Sequence, residues 1–193
     1  MNQQEALKIF TDNSAILNGH FLLSSGLHSD RYMQCALVLQ NPAAAAQLCK
    51  ELAARFKDDK IDFVIGPALG GILVSYEMAR HLGVRSLFAE RENGVMSLRR
   101  GFSIRPGERC VITEDVITTG KSTNEVLQVV KDCGGVFAGA ASLVDRSGGK
   151  TNFGVKFESA LKVEIQTWKA EECPLCKKGL PLVKPGSRTK PKV

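Results

Sequence analysis

Val111-Ile112-Thr113-Glu114-Asp115-Val116-Ile117-Thr118-Thr119-Gly120-Lys121-Ser122 joins two kinds of sequence. Its first half is apolar enough for a strand buried on both faces. Its second half is a run of small hydroxyl residues and Gly, followed by helical spacing over residues 121–133. The same unit recurs on either side. Residues 62–65, 84–89, 109–113 and 136–144 read as strands of near-continuous Val, Ile and Ala, and residues 70–82 as another helix. This alternation predicts an α/β fold, a doubly wound parallel sheet covered on both faces. Residues 155–165 read as one further strand. Ligands of such sheets bind beyond the carboxyl ends of the strands. The loops 66–71, 114–122 and 145–149 are therefore expected to line one crevice.

Outward from this core the signals are more local. Leu7, Phe10, Ser14 and Leu17 give residues 5–17 the spacing of a helix, and residues 42–56 form another, with Pro42 in its first turn. Two short apolar runs, 21–23 and 35–39, read as strands separated by the turn-rich residues 24–30. Residues 91–100 are polar and read as a loop, within which Asn93-Gly94 is a favoured two-residue hairpin turn. The expected organisation is one domain over residues 1–172, with a small N-terminal hood over about 1–40, and a basic, Pro-rich tail over residues 173–193.

Composition fits this reading. The chain has 193 residues, 44% hydrophobic and 24% charged, enough for one domain with a real core. The net charge of +6 is a property of the tail. Six of the 26 Lys and Arg residues follow residue 172 and none of the 20 Asp and Glu residues do, so residues 1–172 are neutral overall. A nucleic-acid-binding face is not expected, and the tail reads as a solvated extension. No apolar run approaches the roughly 20 residues of a membrane span, and residues 1–10 lack the apolar region of a secretory signal. The cytoplasm is the expected compartment.

The chemistry of the 111–122 stretch follows from its residue types. Successive N–H groups at a helix start, with the hydroxyls of Thr118, Thr119 and Ser122, suit a phosphate. The adjacent carboxylates Glu114 and Asp115 suit polyol hydroxyls or a metal-bound ligand. Gly120-Lys121-Ser122 mimics the end of a Walker A loop, but that loop needs Gly where Asp115 stands, so a P-loop is excluded. A phosphate beside a ribose is what the stretch describes.

Residues 111–123 thus resemble the phosphoribosyl-pyrophosphate (PRPP) motif of type I phosphoribosyltransferases, and the chain is most similar to the orotate phosphoribosyltransferases among them. Three further segments carry the resemblance: Phe21-Leu22-Leu23-Ser24-Ser25-Gly26-Leu27-His28-Ser29-Asp30-Arg31-Tyr32 on the substrate side, Gly66-Pro67-Ala68 through Gly71 as a pyrophosphate loop, and Leu143-Val144-Asp145-Arg146. The resemblance implies transfer of a phosphoribosyl group from PRPP to orotate in pyrimidine nucleotide synthesis, with Mg²⁺ carried by PRPP rather than by protein ligands. It implies PRPP binding by Glu114, Asp115, Val116, Ile117, Thr118, Thr119, Gly120, Lys121 and Ser122. Glu114 and Asp115 fall at the ribose, and Thr118 and Arg146 at orotate. Arg91 matches an arginine that reaches pyrophosphate in a neighbouring subunit, so a homodimer with shared active sites is expected. The chain departs from many relatives at Ser24 and Gly70, where they carry Lys. The segment after Arg91 also lacks their Lys or His, and Arg99 and Arg100 are candidate catalytic substitutes, folded back beside Arg91. Two other readings use the same loop: transfer to another base, which leaves Arg146 without a use, and a non-catalytic PRPP-sensing regulator, which lacks a nucleic-acid-reading element.

Six cysteines in such a chain do not read as a disulfide framework. Cys35, Cys49, Cys110 and Cys133 sit among apolar neighbours. Cys173-Pro-Leu-Cys176 has metal or redox spacing, but it supplies only two of the four ligands zinc takes, and no His follows it. Cys173 and Cys176 are zinc candidates whose site is expected to be complete only across two copies of the chain.

Overall fold

A computed structural model describes residues 1–23 and 25–185. Helix α1, Gln3–Asp12, opens on a capping box in which the Asn2 side chain accepts from the Gln4 and Glu5 N–H groups and Glu5 reaches back to the Asn2 N–H. It ends sooner than the apolar spacing predicts, because Ser14 takes a left-handed φ of 53°. Leu17 lies instead on strand β1, Ile16–Leu22, which pairs antiparallel with β2, His28–Met33. The expected strand over 35–39 is a helix, α2, Cys35–Leu39. Its buried residues Cys35, Val38 and Leu39 are three and four apart, a helical period that a five-residue apolar run does not reveal. Helix α3, Pro42–Ala54, is capped by the Asn41 side chain.

The main sheet follows as β3 (Phe63–Pro67), α4 (Gly70–Leu82), β4 (Arg85–Glu92), β5 (Val95–Leu98), β6 (Arg109–Ile117), α5 (Lys121–Asp132), β7 (Val136–Asp145) and β8 (Lys156–Lys162). Its strand order is β5-β4-β3-β6-β7-β8, with only β5 antiparallel. Successive residues face opposite layers. Val64, Val111, Ala141 and Leu143 pack with α1, α2, α3 and α4, whereas Phe63, Ile65, Cys110 and Ile112 pack with Val126 and Val130 of α5. Both faces are buried, so the strands read as continuous apolar runs rather than alternating ones. The chain winds outward one way from β3 and the other way from β6, and the crevice at their carboxyl ends is the switch point.

Two stretches differ from the sequence reading. The expected loop over 91–100 is largely a hairpin, with Glu92 opposite Val95 and with Asn93 (φ 52°) and Gly94 (φ 86°) at its turn. Positive φ at both positions is what a type I′ turn demands. Beyond residue 113, β6 runs on through the acidic pair to Ile117, pairing Val116 with Val144 and Ile117 with Asp145.

The hood also gains elements that the sequence concealed. Strand β9, Thr167–Trp168, pairs with β2, and a short helix α6, Pro174–Lys177, follows a 3-10 turn at Ala170–Glu172. The Val183 N–H donates to the His20 carbonyl at 2.8 Å, and the Leu22 N–H to the Val183 carbonyl at 2.8 Å. The segment expected as a solvated extension therefore lies on the hood as far as Val183. Ser24 and the remainder of the tail, including Arg188, Lys190 and Lys192, lie outside the described residues. Among the described residues, no helix is long and apolar enough to cross a membrane.

Candidate active site

The crevice is built where β6 leaves the core. Thr113 is fully buried, Glu114 and Asp115 are partly buried, and Thr118 and Thr119 are exposed, so the polar stretch emerges over five residues. Gly120 turns the chain into α5 with φ 71°, and a Cβ there would meet the Phe153 ring at 2.9 Å. α5 starts at Gly120 without a capping side chain, and the Lys121 N–H donates to the Thr119 hydroxyl at 3.4 Å. A helix start of this kind, with the Thr118, Thr119 and Ser122 hydroxyls beside it, suits an anion.

The acidic pair is held beside it. Asp115 accepts from the Val116 N–H at 2.9 Å, and Glu114 from the Thr123 hydroxyl at 3.4 Å. Burial raises both carboxyls. For Glu114, burial and the neighbouring Asp115 push the value up to about 8, with Glu125 adding to the rise. For Asp115, burial outweighs its backbone hydrogen bonds. Two carboxyls crowded in this way suit a ligand that brings hydroxyl donors and positive charge.

The loop after β3 closes the other side. A Cβ on Gly66 would lie 2.6 Å from the Gly71 carbonyl oxygen, and one on Gly71 3.0 Å from the Thr113 carbonyl oxygen. A Cβ on Gly70 would lie 2.6 Å from the Asp115 carboxylate. The departure at Gly70 thus has a physical setting, since α4 begins in direct contact with the acidic pair.

Arg146 follows β7, and its N–H donates to the Ile117 carbonyl at 2.8 Å. Burial lowers its pKa, opposed by Tyr32 and Cys35. Tyr32 is raised by burial and Asp115 and lowered by Arg146, so it stands within electrostatic reach of both. Tyr32 belongs to the substrate-side segment, and its role is not legible in the sequence. β2 supplies it from the hood, and its ring packs against Phe21 with centroids 5.9 Å apart.

The hairpin leans over the start of α5. Arg91 pairs with Glu125 of α5 and donates to the Gly94 carbonyl at 3.1 Å. Glu125 looks like a solvated helix residue in the sequence, yet it anchors the arm. Arg99 and Arg100 do not gather beside Arg91. Arg100 binds Glu90 at 2.8 and 3.0 Å, and Arg99 lies 3.1 Å from Glu92 and 3.6 Å from Glu90. The register sets Arg91 opposite Met96, which leaves Arg99 and Arg100 at the base of the arm. Cys173 and Cys176 lie on the hood against His20 and His28, two histidines to which the sequence reading gave no role.

An open, mostly parallel sheet whose switch point carries an acidic pair and a helix start without a capping side chain has the architecture of a phosphoribosyltransferase. The phosphoribosyl transferase domain family matches residues 37–171. The chain is 60% identical over 188 residues to the orotate phosphoribosyltransferase of Pelotomaculum thermopropionicum, covering 97% of this chain and 99% of that one. The Desulforamulus reducens protein of the same name is also 60% identical, covering 97% and 98%. The crystal structure of the Aeropyrum pernix orotate phosphoribosyltransferase superposes with a TM-score of 0.65 at 26% identity, covering 81% of this chain and 93% of that one. The chain belongs to the orotate phosphoribosyltransferase family.

Proposed function

We infer that the chain transfers the 5-phosphoribosyl group of PRPP to N1 of orotate, giving orotidine 5′-phosphate and pyrophosphate, a step of pyrimidine nucleotide synthesis that we assign to the cytoplasm. The observation that carries the base assignment is Arg146, a partly buried guanidinium within electrostatic reach of Tyr32, which also feels Asp115. Orotate is an anionic base, and a guanidinium offers its carboxylate a two-point hydrogen bond.

The steps follow from charge. Residues 118–122 hold the 5′-phosphate through N–H groups and hydroxyls. Glu114 and Asp115 accept from the ribose hydroxyls and stabilise positive charge as C1 loses pyrophosphate. Arg91, with Arg99 and Arg100, attracts the departing anion. Thr118 and Arg146 hold orotate with N1 toward C1. Bound with PRPP, Mg²⁺ would be held by substrate oxygens, with Glu114 and Asp115 as the hard oxygen donors this site could offer it, and it would supply charge neutralisation on the pyrophosphate. The raised carboxyls of these two residues fit such a cation.

The working unit is a homodimer with shared sites. Leu69, Leu73 and Tyr76 are 75%, 50% and 60% exposed along one face of α4, and Val95 is 66% exposed at the hairpin tip. These apolar residues beside the crevice support a second copy packing there.

The test is pyrophosphate release from PRPP and Mg²⁺ with orotate, uracil, adenine and hypoxanthine in turn, in wild type and Arg146→Ala. Release with orotate alone is expected. The substitution should raise the KM for orotate roughly thirtyfold or more, from a loss of about 2–5 kcal/mol, while the KM for PRPP holds. Release with a purine instead of orotate overturns the assignment.

A further inference from the structure

The tail contains a constellation that phosphoribosyl transfer does not use. His20 and His28 come from β1 and β2, Cys173 and Cys176 from the two ends of the turn that starts α6, and their ligand atoms all lie within 4.8 Å of one another. His20 Nε2 is 2.9 Å from His28 Nδ1. The Cys173 sulfur is 3.5 Å from His20 Nε2, and the Cys176 sulfur is 3.7 Å from His20 Nε2 and 3.2 Å from His28 Nδ1. A tetrahedral zinc with Zn–N of about 2.0–2.1 Å and Zn–S of about 2.3 Å sets N···N near 3.4 Å, N···S near 3.6 Å and S···S near 3.8 Å. The cluster matches this spacing to within about half an ångström at each of these contacts.

Three further observations point to a cation. First, the His20 ring is already oriented, because its Nδ1–H donates to the Leu180 carbonyl at 2.9 Å, which leaves Nε2 bare and aimed at the cluster. A ligating imidazole is fixed in this way by a hydrogen bond from its other nitrogen. Second, both imidazoles are 5% exposed or less, and Cys173 is fully buried. Cys176 closes the set from the exposed side, and four lone-pair donors facing one another, three of them buried, are better satisfied by one metal ion than by shared protons. Third, beyond its backbone hydrogen bonds to β1 and β2 this segment has almost no apolar packing to hold it. Beyond Leu161 the only buried apolar residue among those described is Cys173, while Leu180, Leu182 and Val183 are 43–51% exposed. A segment without a core of its own needs a staple.

We propose that His20, His28, Cys173 and Cys176 of a single chain form a closed Cys2His2 zinc site that fastens the C-terminal segment to the hood. Four protein ligands leave no open position, so the role is structural. The site anchors β2, the strand that delivers Tyr32 to the crevice. It also removes the need for a second copy of the chain, since both missing ligands lie about 150 residues upstream of the cysteines.

The test begins with the full-length protein from zinc-supplemented cells, purified without chelator. Elemental analysis should find one zinc per chain. Cobalt-loaded protein should show a thiolate-to-cobalt charge-transfer band and the intense visible absorption of tetrahedral coordination. The pairs Cys173→Ser/Cys176→Ser and His20→Asn/His28→Asn should each lose at least nine-tenths of the metal. Should a pair fail to fold, the wild type serves alone: chelator should speed tryptic cleavage at the exposed Lys177 and Lys178 at least tenfold, and added zinc should restore protection. A wild type with neither zinc nor cobalt uptake, a Cys173–Cys176 disulfide in protein prepared without oxidant, full zinc content in the Cys pair variant, or cleavage indifferent to chelator overturns the proposal.

Discussion

Glu114 and Asp115 are neighbours on one strand, yet their geometry divides the work. Asp115 is locked by the Val116 N–H and pressed by α4 at Gly70, so it is prepositioned for charge that develops in the transition state. Asp115→Asn should lower kcat about a hundredfold or more while the KM for PRPP moves less than about tenfold. Steady-state kinetics at saturating orotate separates the two, and an unchanged kcat with a large KM increase would show a ribose clamp instead. Glu114 carries the pH signature. Its carboxyl rises from an ordinary 4.5 to about 8 in the folded chain. Between these values the folded chain holds a proton that the unfolded chain has lost. Stability from this group is therefore fully present below pH 4.5 and declines as pH rises through about 8. Ribose hydroxyls and Mg²⁺ favour the charged form, so binding PRPP with Mg²⁺ at neutral pH should release a proton. Calorimetry in buffers of different ionisation enthalpy measures that release, and a heat independent of buffer would count against it.

The elements show what a sequence discloses and what it hides. β3, β6 and β7 were legible because burial on both faces leaves a continuous apolar record, and α4 because its Gly70 start and Gly83 end punctuate a helical period. The hairpin turn was legible from Asn93-Gly94 alone. α2 was not, since a single turn of helix and a short strand bury the same five residues. β9 was hidden as well: two residues, Thr167 and Trp168, carry no period, and their partner His28 lies far upstream. In the site, the phosphate loop and Arg146 stood out as local motifs. Tyr32, Glu125 and the His20–His28 pair act through contacts that only the assembled fold creates. Packing between elements gives its own prediction at Gly139 of β7, where a Cβ would lie 2.6 Å from the Phe56 ring and 3.1 Å from the Lys156 carbonyl oxygen. Phe56, just beyond the end of α3, is buried, and the strand is paired on both sides. Gly139→Ala should cost about 1–3 kcal/mol, read as a lowered midpoint in thermal or urea unfolding with kcat little changed. An unshifted midpoint would mean that the ring has room to turn.

At the scale of the whole molecule, the hairpin arm decides whether one chain suffices. Arg99 and Arg100 rest on Glu90 and Glu92 at exposed positions where water and salt screen the pairs, so both can exchange a carboxylate for a pyrophosphate. If the arm serves the neighbouring site, an Arg99→Ala/Arg100→Ala chain mixed with an Asp115→Asn chain restores one intact site per heterodimer. Each parent alone should be nearly inactive, and an equal mixture should recover about a quarter of wild-type activity. No recovery, with heterodimers confirmed by native mass measurement, excludes shared sites.

The attachment of the last strand to the first hairpin has a consequence for synthesis. β1 and β2 leave the ribosome before the main sheet, and β9 and Val183, which cover their two edges, leave after it. The hood must therefore wait, with an open edge, through translation of almost the entire sheet. A chain halted after β8 has every residue of the 111–122 stretch but an uncovered hood, so the strand that carries Tyr32 gains its second neighbour only after that stretch has been made.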